Sequence, residues 1–277
     1  MIEVRSRIIG LLTDFGAKSS HYVASMKGVI LNINPNAKII DINHNITPYS
    51  IIEASYIIKT TYNYYPENSI FIVVIDPGVG SPREILTLKT ESDYFFVGPN
   101  NGIFTNCFNE KVVECFKVEN DIYFHKPVSK TFHGRDIMAP VGAYISDGVS
   151  LNEFGPKFDL NDLTKFLITY EVLEEDKKII STIQYIDSFG NITTNIQLDQ
   201  NNKIKETNFY LNSDDIIFFT FKDKLYKSKF KSYFATLAVN SLLILRGSSG
   251  YLEISVNQGN AAKLLDIKVG DIITVFL

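Results

Sequence analysis

The sequence has no tryptophan, only two cysteines, Cys107 and Cys115, and no hydrophobic run near the roughly twenty residues that a membrane-spanning helix requires. Two cysteines are too few for a disulfide framework and lack the paired spacing of a zinc site, so we expect free thiols in a reducing compartment. The first residues carry charges where a secretory signal needs an apolar core. These absences predict a cytoplasmic protein without membrane spans.

An excess of positive charge is also missing, because the net charge is −4. Nucleic-acid-binding surfaces are typically rich in Lys and Arg, and this sequence has one Lys-rich stretch, residues 221–231. Its lysines alternate with Phe and Tyr, which indicates a strand pair with one solvated face. We therefore expect no nucleic-acid partner.

The first half of the chain alternates short apolar runs with helical patterns. Runs 8–12, 38–42 and 69–75 are rich in branched aliphatic residues, as strands buried on both faces of a parallel sheet tend to be. Between them, 22–33 and 51–64 carry apolar residues at helical spacing. This βαβαβ order predicts the α/β fold class, with an N-terminal Rossmann-like three-layer domain over residues 1–170.

The second half changes to short apolar runs separated by Asn, Asp, Gly and Lys. The predicted strands are 179–186, 192–198, 209–211, 216–221, 242–245, 251–255 and 271–276. A brief helical pattern covers 261–265, and 155–176 is interpreted as a connector. This spacing predicts a smaller C-terminal domain over 178–277, an antiparallel β-barrel or sandwich.

Asp14 follows the first predicted strand, within Thr13-Asp-Phe-Gly16. Ligands of such sheets bind at the carboxyl ends of the strands, where a carboxylate can accept two hydrogen bonds from a ribose diol. An aspartate that caps a helix or closes a turn would occupy the same position. The tetrapeptide alone leaves both interpretations open.

A carboxylate, a guanidinium and an imidazole occur in two further loops. Asp76 and Arg83 bracket a glycine turn that lacks the G-x-G-x-x-G spacing of dinucleotide folds, and Arg83 could clamp Asp76. His133 lies in Thr131-Phe-His-Gly-Arg-Asp136, before a predicted helix at 136–146. A braced turn and a surface histidine are the structural alternative. Together the three groups are typical of a site that positions water. His44 is a second candidate histidine, or one that fixes a loop.

Other chemistries find less support. The loops lack a His-x-x-x-His or paired-carboxylate spacing, and Arg83 would place a positive charge beside a metal ion. A Gly-x-Ser-x-Gly nucleophile elbow is absent from the sequence. We predict neither a metal nor another cofactor.

Two polar loops of the second half could bind a nucleoside or its substituent. Phe189 and Asn191, in Asp187-Ser-Phe-Gly-Asn191, offer the aromatic face and the amide that an adenine ring requires, although the same residues build an ordinary β-turn. Residues 248–251 and 256–260 present hydroxyls and amides on either side of a predicted strand.

Taken in order, these segments resemble the S-adenosyl-L-methionine hydrolase family (adenosine-forming), also called the SAM hydroxide adenosyltransferases, whose halogenating branch contains the fluorinase and chlorinase. The segments that carry the resemblance are TDFG, MKGVILNINPNAKIIDINHNITPY, YYPENSIFIVVIDPGVGSPR, VGPNNGIF, TFHGRDIMAP, YIDSFGNITTNI and SSGYLEISVNQGNAA. They span nearly the whole chain.

The resemblance implies a Rossmann-like domain joined to a smaller β-barrel, assembled as a homotrimer with each active site at a subunit interface. The resemblance also implies roles for single residues. It makes Asp76, Arg83 and His133 a catalytic triad, Asp14 the ribose-binding carboxylate and Tyr49 an aromatic residue lining the site. It places Asp187, Phe189 and Asn191 in a loop facing adenine and methionine, and it makes Ser248 a contact to the methionine carboxylate.

The implied reaction is hydrolysis of S-adenosyl-L-methionine (SAM) to adenosine and L-methionine, with SAM as substrate and not as cofactor. The halogenating branch lacks this Asp and His and carries an insertion for which residues 81–94 are too short. One departure is the absence of the acidic residue that usually follows TDFG, where this chain reads Ala17-Lys-Ser-Ser20. A SAM-dependent halogenase, a non-catalytic SAM- or adenosine-binding protein and a methyltransferase stay open as alternatives.

Overall fold

The computed structural model describes residues 7–277, which form two compact units that divide between Phe166 and Leu167. Each unit has its own hydrophobic core. Within the described part of the chain, no helix combines the length and apolar character needed to cross a membrane.

The first unit is built on a six-stranded mixed sheet. Its strands are β1 (Ile8–Thr13), β2 (Lys38–Asn43), β3 (Ile70–Val74), β4 (Ile85–Thr90), β5 (Phe95–Pro99) and β6 (Val112–Lys117). The spatial order is β2-β1-β3-β5-β4-β6, in which β4 runs antiparallel to both of its neighbours. The predicted strands β1, β2 and β3 are confirmed, whereas β4, β5 and β6 were not predicted from the sequence.

Helices cover both faces of this sheet. They are α1 (Ser20–Ile33), α2 (Ile51–Thr61) and α3 (Ala139–Ser146). Ile70, Ile72 and Val74 of β3 share one core with α1 and α3, while Phe71 of β3 contacts Tyr62, which follows α2. Because strand side chains alternate between faces, α2 lies on the opposite face, and the predicted three-layer architecture is confirmed.

The register of β1 and β3 brings two predicted site residues to one edge of the sheet. The two strands are parallel, and Thr13 of β1 pairs with Val74 of β3. Asp14 and Asp76 follow these residues directly, so their loops leave the same carboxyl edge side by side.

The second unit is a closed barrel. Its strands are β7 (Tyr170–Leu173), β8 (Lys178–Ile186), β9 (Ile192–Gln197), β10 (Ile216–Phe221), β11 (Lys224–Lys231), β12 (Leu242–Arg246), β13 (Tyr251–Val256) and β14 (Ile272–Phe276), with α4 at Ala261–Leu265. Pairing of β14 with β8 closes seven strands into the barrel, and β7 pairs with β8 outside the ring. All pairings are antiparallel except that of β11 with β12.

The structure corrects several details predicted for the second half. Residues 209–211 form no strand but contribute one isolated bridge, between Lys203 and Tyr210. Strand β7 lies within the predicted connector. The Lys-rich stretch forms most of the β10–β11 hairpin, whose turn residues Lys222 and Asp223 have φ of 48° and 59°, as a tight two-residue turn requires.

Candidate active site

Asp76 and Arg83 form a paired group in the loop after β3. Arg83 donates from Nε to Asp76 Oδ1 at 2.7 Å and from Nη2 to Asp76 Oδ2, so the guanidinium holds both carboxylate oxygens. The side chains are only 4% (Asp76) and 11% (Arg83) exposed. A bidentate pair withdrawn from water is rigid, because neither charge can be left unpaired cheaply.

His133 extends this pair into a chain of three groups, since its Nδ1 lies 3.1 Å from Arg83 Nη2. A guanidinium can only donate, so Nδ1 must be the acceptor and the neutral ring carries its proton on Nε2. Burial lowers the pKa of His133, and the charge of Arg83 lowers it further against the opposing effect of Asp76 and Asp136. Both effects favour the neutral imidazole.

Tight packing at a glycine explains how His133 reaches the Asp76 loop. Residues Gly134–Met138 form a π-helical turn that leads into α3, in place of the α-helix predicted from 136. A Cβ on Gly134 would lie 2.9 Å from Val74 Cγ1, so only glycine allows the turn to approach the end of β3 this closely. Asp136, fully buried, accepts from Arg135 and from Ser129 N and fixes the preceding loop.

Asp14 lies in the same unit, and its Oδ2 accepts the backbone N–H of Tyr49 at 2.8 Å. Burial raises the pKa of Asp14, and the charge of Asp76 contributes to the same shift. Tyr49 has a φ of 67° and is 68% exposed. The carboxylate is thus oriented by a backbone donor and lies within reach of the charge on Asp76.

A cavity of about 300 Å³ joins these residues. It is lined by Asp14, Tyr49, Asp76 and His133 together with Phe15, Tyr22 and Phe132. The three rings meet edge to face, with centroids 5.1 to 5.8 Å apart. Sequence analysis did not assign Phe15 and Phe132 as lining residues, although both lie inside segments that it singled out. The volume is at the lower end of the range for small-molecule sites.

In the second unit, Asp187 braces the loop between β8 and β9. Its Oδ1 accepts from the backbone N–H groups of Phe189 and Asn191, both at 2.9 Å, and its Oδ2 accepts from Asn191 Nδ2 at 2.8 Å. The last of these bonds orients the Asn191 amide, while Phe189 is 74% exposed. A β-turn and a ligand-binding loop, the two interpretations of this segment, are therefore compatible.

A second cavity, of about 870 Å³, lies in this unit. Its lining includes all four of the predicted residues Asp187, Phe189, Asn191 and Ser248. It also includes Arg246 and Glu253, which sequence analysis did not single out. Burial raises the pKa of Glu253, and the charge of Asp187 adds to the shift. Acidic and basic side chains therefore lie in the lining of a largely apolar cavity.

The two units match the two domain models of one family. Residues 9–155 match the SAM hydroxide adenosyltransferase N-terminal domain, and residues 181–274 match the SAM hydroxide adenosyltransferase C-terminal domain. The chain therefore belongs to the SAM hydroxide adenosyltransferase family, and the predicted family is confirmed.

Similar proteins include some named as SAM hydrolases and some named as fluorinases. A protein from Methanocaldococcus jannaschii named (R)-S-adenosyl-L-methionine hydrolase is 39% identical, covering 97% of this chain and 95% of its own. A fluorinase from an Actinoplanes species is 26% identical, covering 97% of each. The crystal structure of an uncharacterized conserved protein from Thermotoga maritima has a TM-score of 0.88 and 36% identity, and covers 97% of this chain and 100% of its own.

Proposed function

We propose that the protein hydrolyses SAM to adenosine and L-methionine by in-line attack of water or hydroxide on the ribose C5′. The observation that carries this proposal is the hydrogen-bonded chain of Asp76, Arg83 and His133 beside a cavity that also contains Asp14. The hydrolase name of the relative from M. jannaschii supports the same reaction.

Catalysis of this reaction depends on the nucleophile, because the sulfonium departs as a neutral thioether and needs no general acid. Fixing a water molecule in line with the C–S bond, away from bulk solvent, can supply about 7–11 kcal/mol of the barrier. The protein contributes the position and the desolvation of that water.

The hydrogen-bond directions suggest distinct roles for the three groups. With Nδ1 engaged by Arg83, His133 offers Nε2–H as a donor to the oxygen of the nucleophile. Asp76 is the adjacent group with free acceptor lone pairs, so it receives the hydrogen bond or the proton of the water. Arg83 holds both and stabilises developing hydroxide charge. In this proposal His133 orients the nucleophile and is not its base.

The remaining residues bind the substrate. Asp14 accepts hydrogen bonds from the ribose diol, and Tyr49 packs against the sugar. Phe189 stacks on the adenine, and Asn191 forms hydrogen bonds with it. Asp187 and Ser248 face the methionine. We further propose a homotrimer in which residues of the first unit of one copy and the second unit of another complete each site, with no metal or organic cofactor.

We also place the enzyme in the cytoplasm. Cys107 and Cys115 are free and buried, and burial raises the pKa of each thiol, that of Cys115 to about 12. Such thiols are protonated and unreactive, and they suit a reducing compartment.

Chromatography of one incubation tests the reaction. With SAM alone, adenosine and methionine should appear together in equal amounts, and each sulfonium epimer should be tried separately because the relative's name specifies (R). Adenosine plus methionine would exclude a methyltransferase, whose product is S-adenosylhomocysteine, and unchanged SAM over hours would exclude hydrolysis and favour a binding protein. A 5′-halogenated nucleoside formed on adding fluoride or chloride would identify a halogenase, the chemistry for which the 26% identical fluorinase is named.

A further inference from the structure

A hydrogen-bond chain that runs from a buried threonine to the partly exposed surface lies directly behind Asp14, outside the residues that the proposed function uses. Thr13, the last residue of β1, is fully buried, and its Oγ1 lies 3.0 Å from Nδ1 of His44. The backbone carbonyl of His44 accepts the N–H of Gly16 at 2.7 Å. His44 therefore holds the turn 13–16 at both ends, through its side chain and its backbone, with Asp14 between the two contacts.

The other side of the His44 ring is held by an ion-paired carboxylate. Nε2 lies 3.0 Å from Asp41 Oδ1, off the hydrogen-bond axis, and this buried atom has no aligned partner among residues 7–277. Asp41 Oδ2 accepts from Lys27 Nζ at 2.6 Å. Burial works to raise the pKa of Asp41, but its contacts with His44 and Lys27 outweigh burial and hold the pKa below its ordinary value. Asp41 therefore stays ionised.

Thr13 and His44 can be hydrogen-bonded whichever of the two donates. A threonine hydroxyl both donates and accepts, so it can pair with Nδ1 of His44. A further lone pair of Thr13 Oγ1 is available to the N–H of Phe15, which lies at 3.4 Å. The backbone on both sides of Asp14 is thereby restrained by groups that never enter the cavity.

We propose that His44, oriented by Asp41 and Lys27, is a positioning residue that acts through Thr13 to set the carboxylate of Asp14 for the ribose diol. This inference rests on the proposed function, in which Asp14 binds the ribose. The chain is separate from the direct contact of Asp14 with Tyr49 N, so its loss leaves Asp14 present but free to move. A small displacement is enough to lose a two-point contact with a diol.

The test compares the dissociation constants of adenosine and 2′,3′-dideoxyadenosine by calorimetry on the full-length protein. The ratio is the dissociation constant of 2′,3′-dideoxyadenosine divided by that of adenosine. It reports the diol contact alone, because the two ligands share the base and the ring. Thr13→Val removes the hydroxyl while keeping the shape, and we expect the ratio to fall about tenfold. Thr13→Ser keeps the hydroxyl and should restore the ratio. Thr87→Val is the matched control: Thr87 is another fully buried threonine of the same sheet, on β4, and its ratio should equal that of the wild type.

Each outcome is decisive. A wild-type ratio in Thr13→Val, or an equal loss of both ligands, would overturn the inference. Asp14→Asn separates it from the proposed function: if Asp14→Asn also leaves the ratio unchanged, the ribose role of Asp14 fails as well. Should Thr13→Val not fold, Lys27→Met tests the partly exposed outer end of the chain, where a ratio below that of the wild type supports the inference and an unchanged ratio overturns it.

Discussion

At the scale of single residues, the candidate site depends on groups withdrawn from water and held by one another. Arg83 has the central position, since it contacts both Asp76 and His133. These three residues were predicted as a site from the chemistry of their loops and from the family resemblance. Sequence analysis did not show that the guanidinium fixes the ring tautomer of His133, because that depends on a 3.1 Å contact between residues fifty positions apart.

Replacing Arg83 tests whether it acts on the nucleophile. We predict that Arg83→Ala lowers kcat by about 100-fold or more while the dissociation constant of adenosine stays within about threefold, because the side chain acts on transition-state charge. Steady-state kinetics and calorimetry give the two numbers. Arg83→Lys, which keeps the charge but not the two-pronged contact, should fall between Arg83→Ala and the wild type. Equal losses of turnover and binding would show a structural role instead.

The pH dependence tests the state of His133. Its lowered pKa means that the neutral ring persists below its ordinary titration range near pH 6.5. If activity requires neutral His133, the acid limb of kcat/KM should therefore lie below pH 6.5, and activity at pH 6.5 should exceed half of its plateau. A pH profile of initial rates measures this. A limb centred above pH 6.5 would contradict a neutral ring held by burial and Arg83.

At the scale of elements, the central strands and helices could be predicted because their hydrophobic patterns are continuous. β1, β3 and α2 begin within a residue of their predicted starts. β4 and β6 were missed because polar residues interrupt the apolar runs that identify a buried strand, and β5 was missed because its short apolar run ends at Gly98-Pro99, a turn-like pair. Residues 209–211 were wrongly predicted as a strand, since the loop 199–211 is instead fixed by isolated bridges and turn hydrogen bonds.

At Gly80 the Asp76 loop comes into close contact with the loop that precedes His133. Gly80 has a φ of 80°, and a Cβ there would lie 2.3 Å from the carbonyl oxygen of Lys130, in the loop before His133. We predict that Gly80→Ala separates the two loops, reduces kcat strongly and destabilises the fold by about 1–2 kcal/mol. Activity assays and denaturant unfolding measure both effects.

Gly28 provides the matched control for this substitution. It lies on the exposed side of α1, and a Cβ would meet nothing within 4 Å. Gly28→Ala should therefore stabilise the protein, by about 0.5–1 kcal/mol, through helix propensity. If both variants behaved alike, the contact of Gly80 with Lys130 would not matter to the site.

At the scale of the whole molecule, the two-domain organisation follows from the change of pattern along the sequence, whereas barrel closure does not. Closure depends on pairing of β14 with β8, strands separated by most of the second unit, and short-range periodicity carries no information about such contacts. The assembly of subunits lies equally beyond the periodicity of one chain, and only the family resemblance implied it.

Subunit mixing tests the proposed trimer with shared sites. The assembled protein should have three times the chain mass of 31.3 kDa by sedimentation. His133→Ala and Asn191→Ala should each be inactive alone. After subunit exchange in equal amounts, random assembly predicts about a quarter of wild-type activity, because one copy supplies the first unit of a site and another its second. No recovery after demonstrated exchange would show that each site belongs to one chain.

The most direct test of the central claim is the fate of the attacking oxygen. We predict that turnover of SAM in ¹⁸O-labelled water gives adenosine with one labelled oxygen, located at the 5′ position by mass spectrometry, and unlabelled methionine. This result follows if the water held by Asp76, Arg83 and His133 attacks C5′. Label in the amino-acid product, or release of methylthioadenosine, would mean that a different carbon–sulfur bond breaks and would contradict the account.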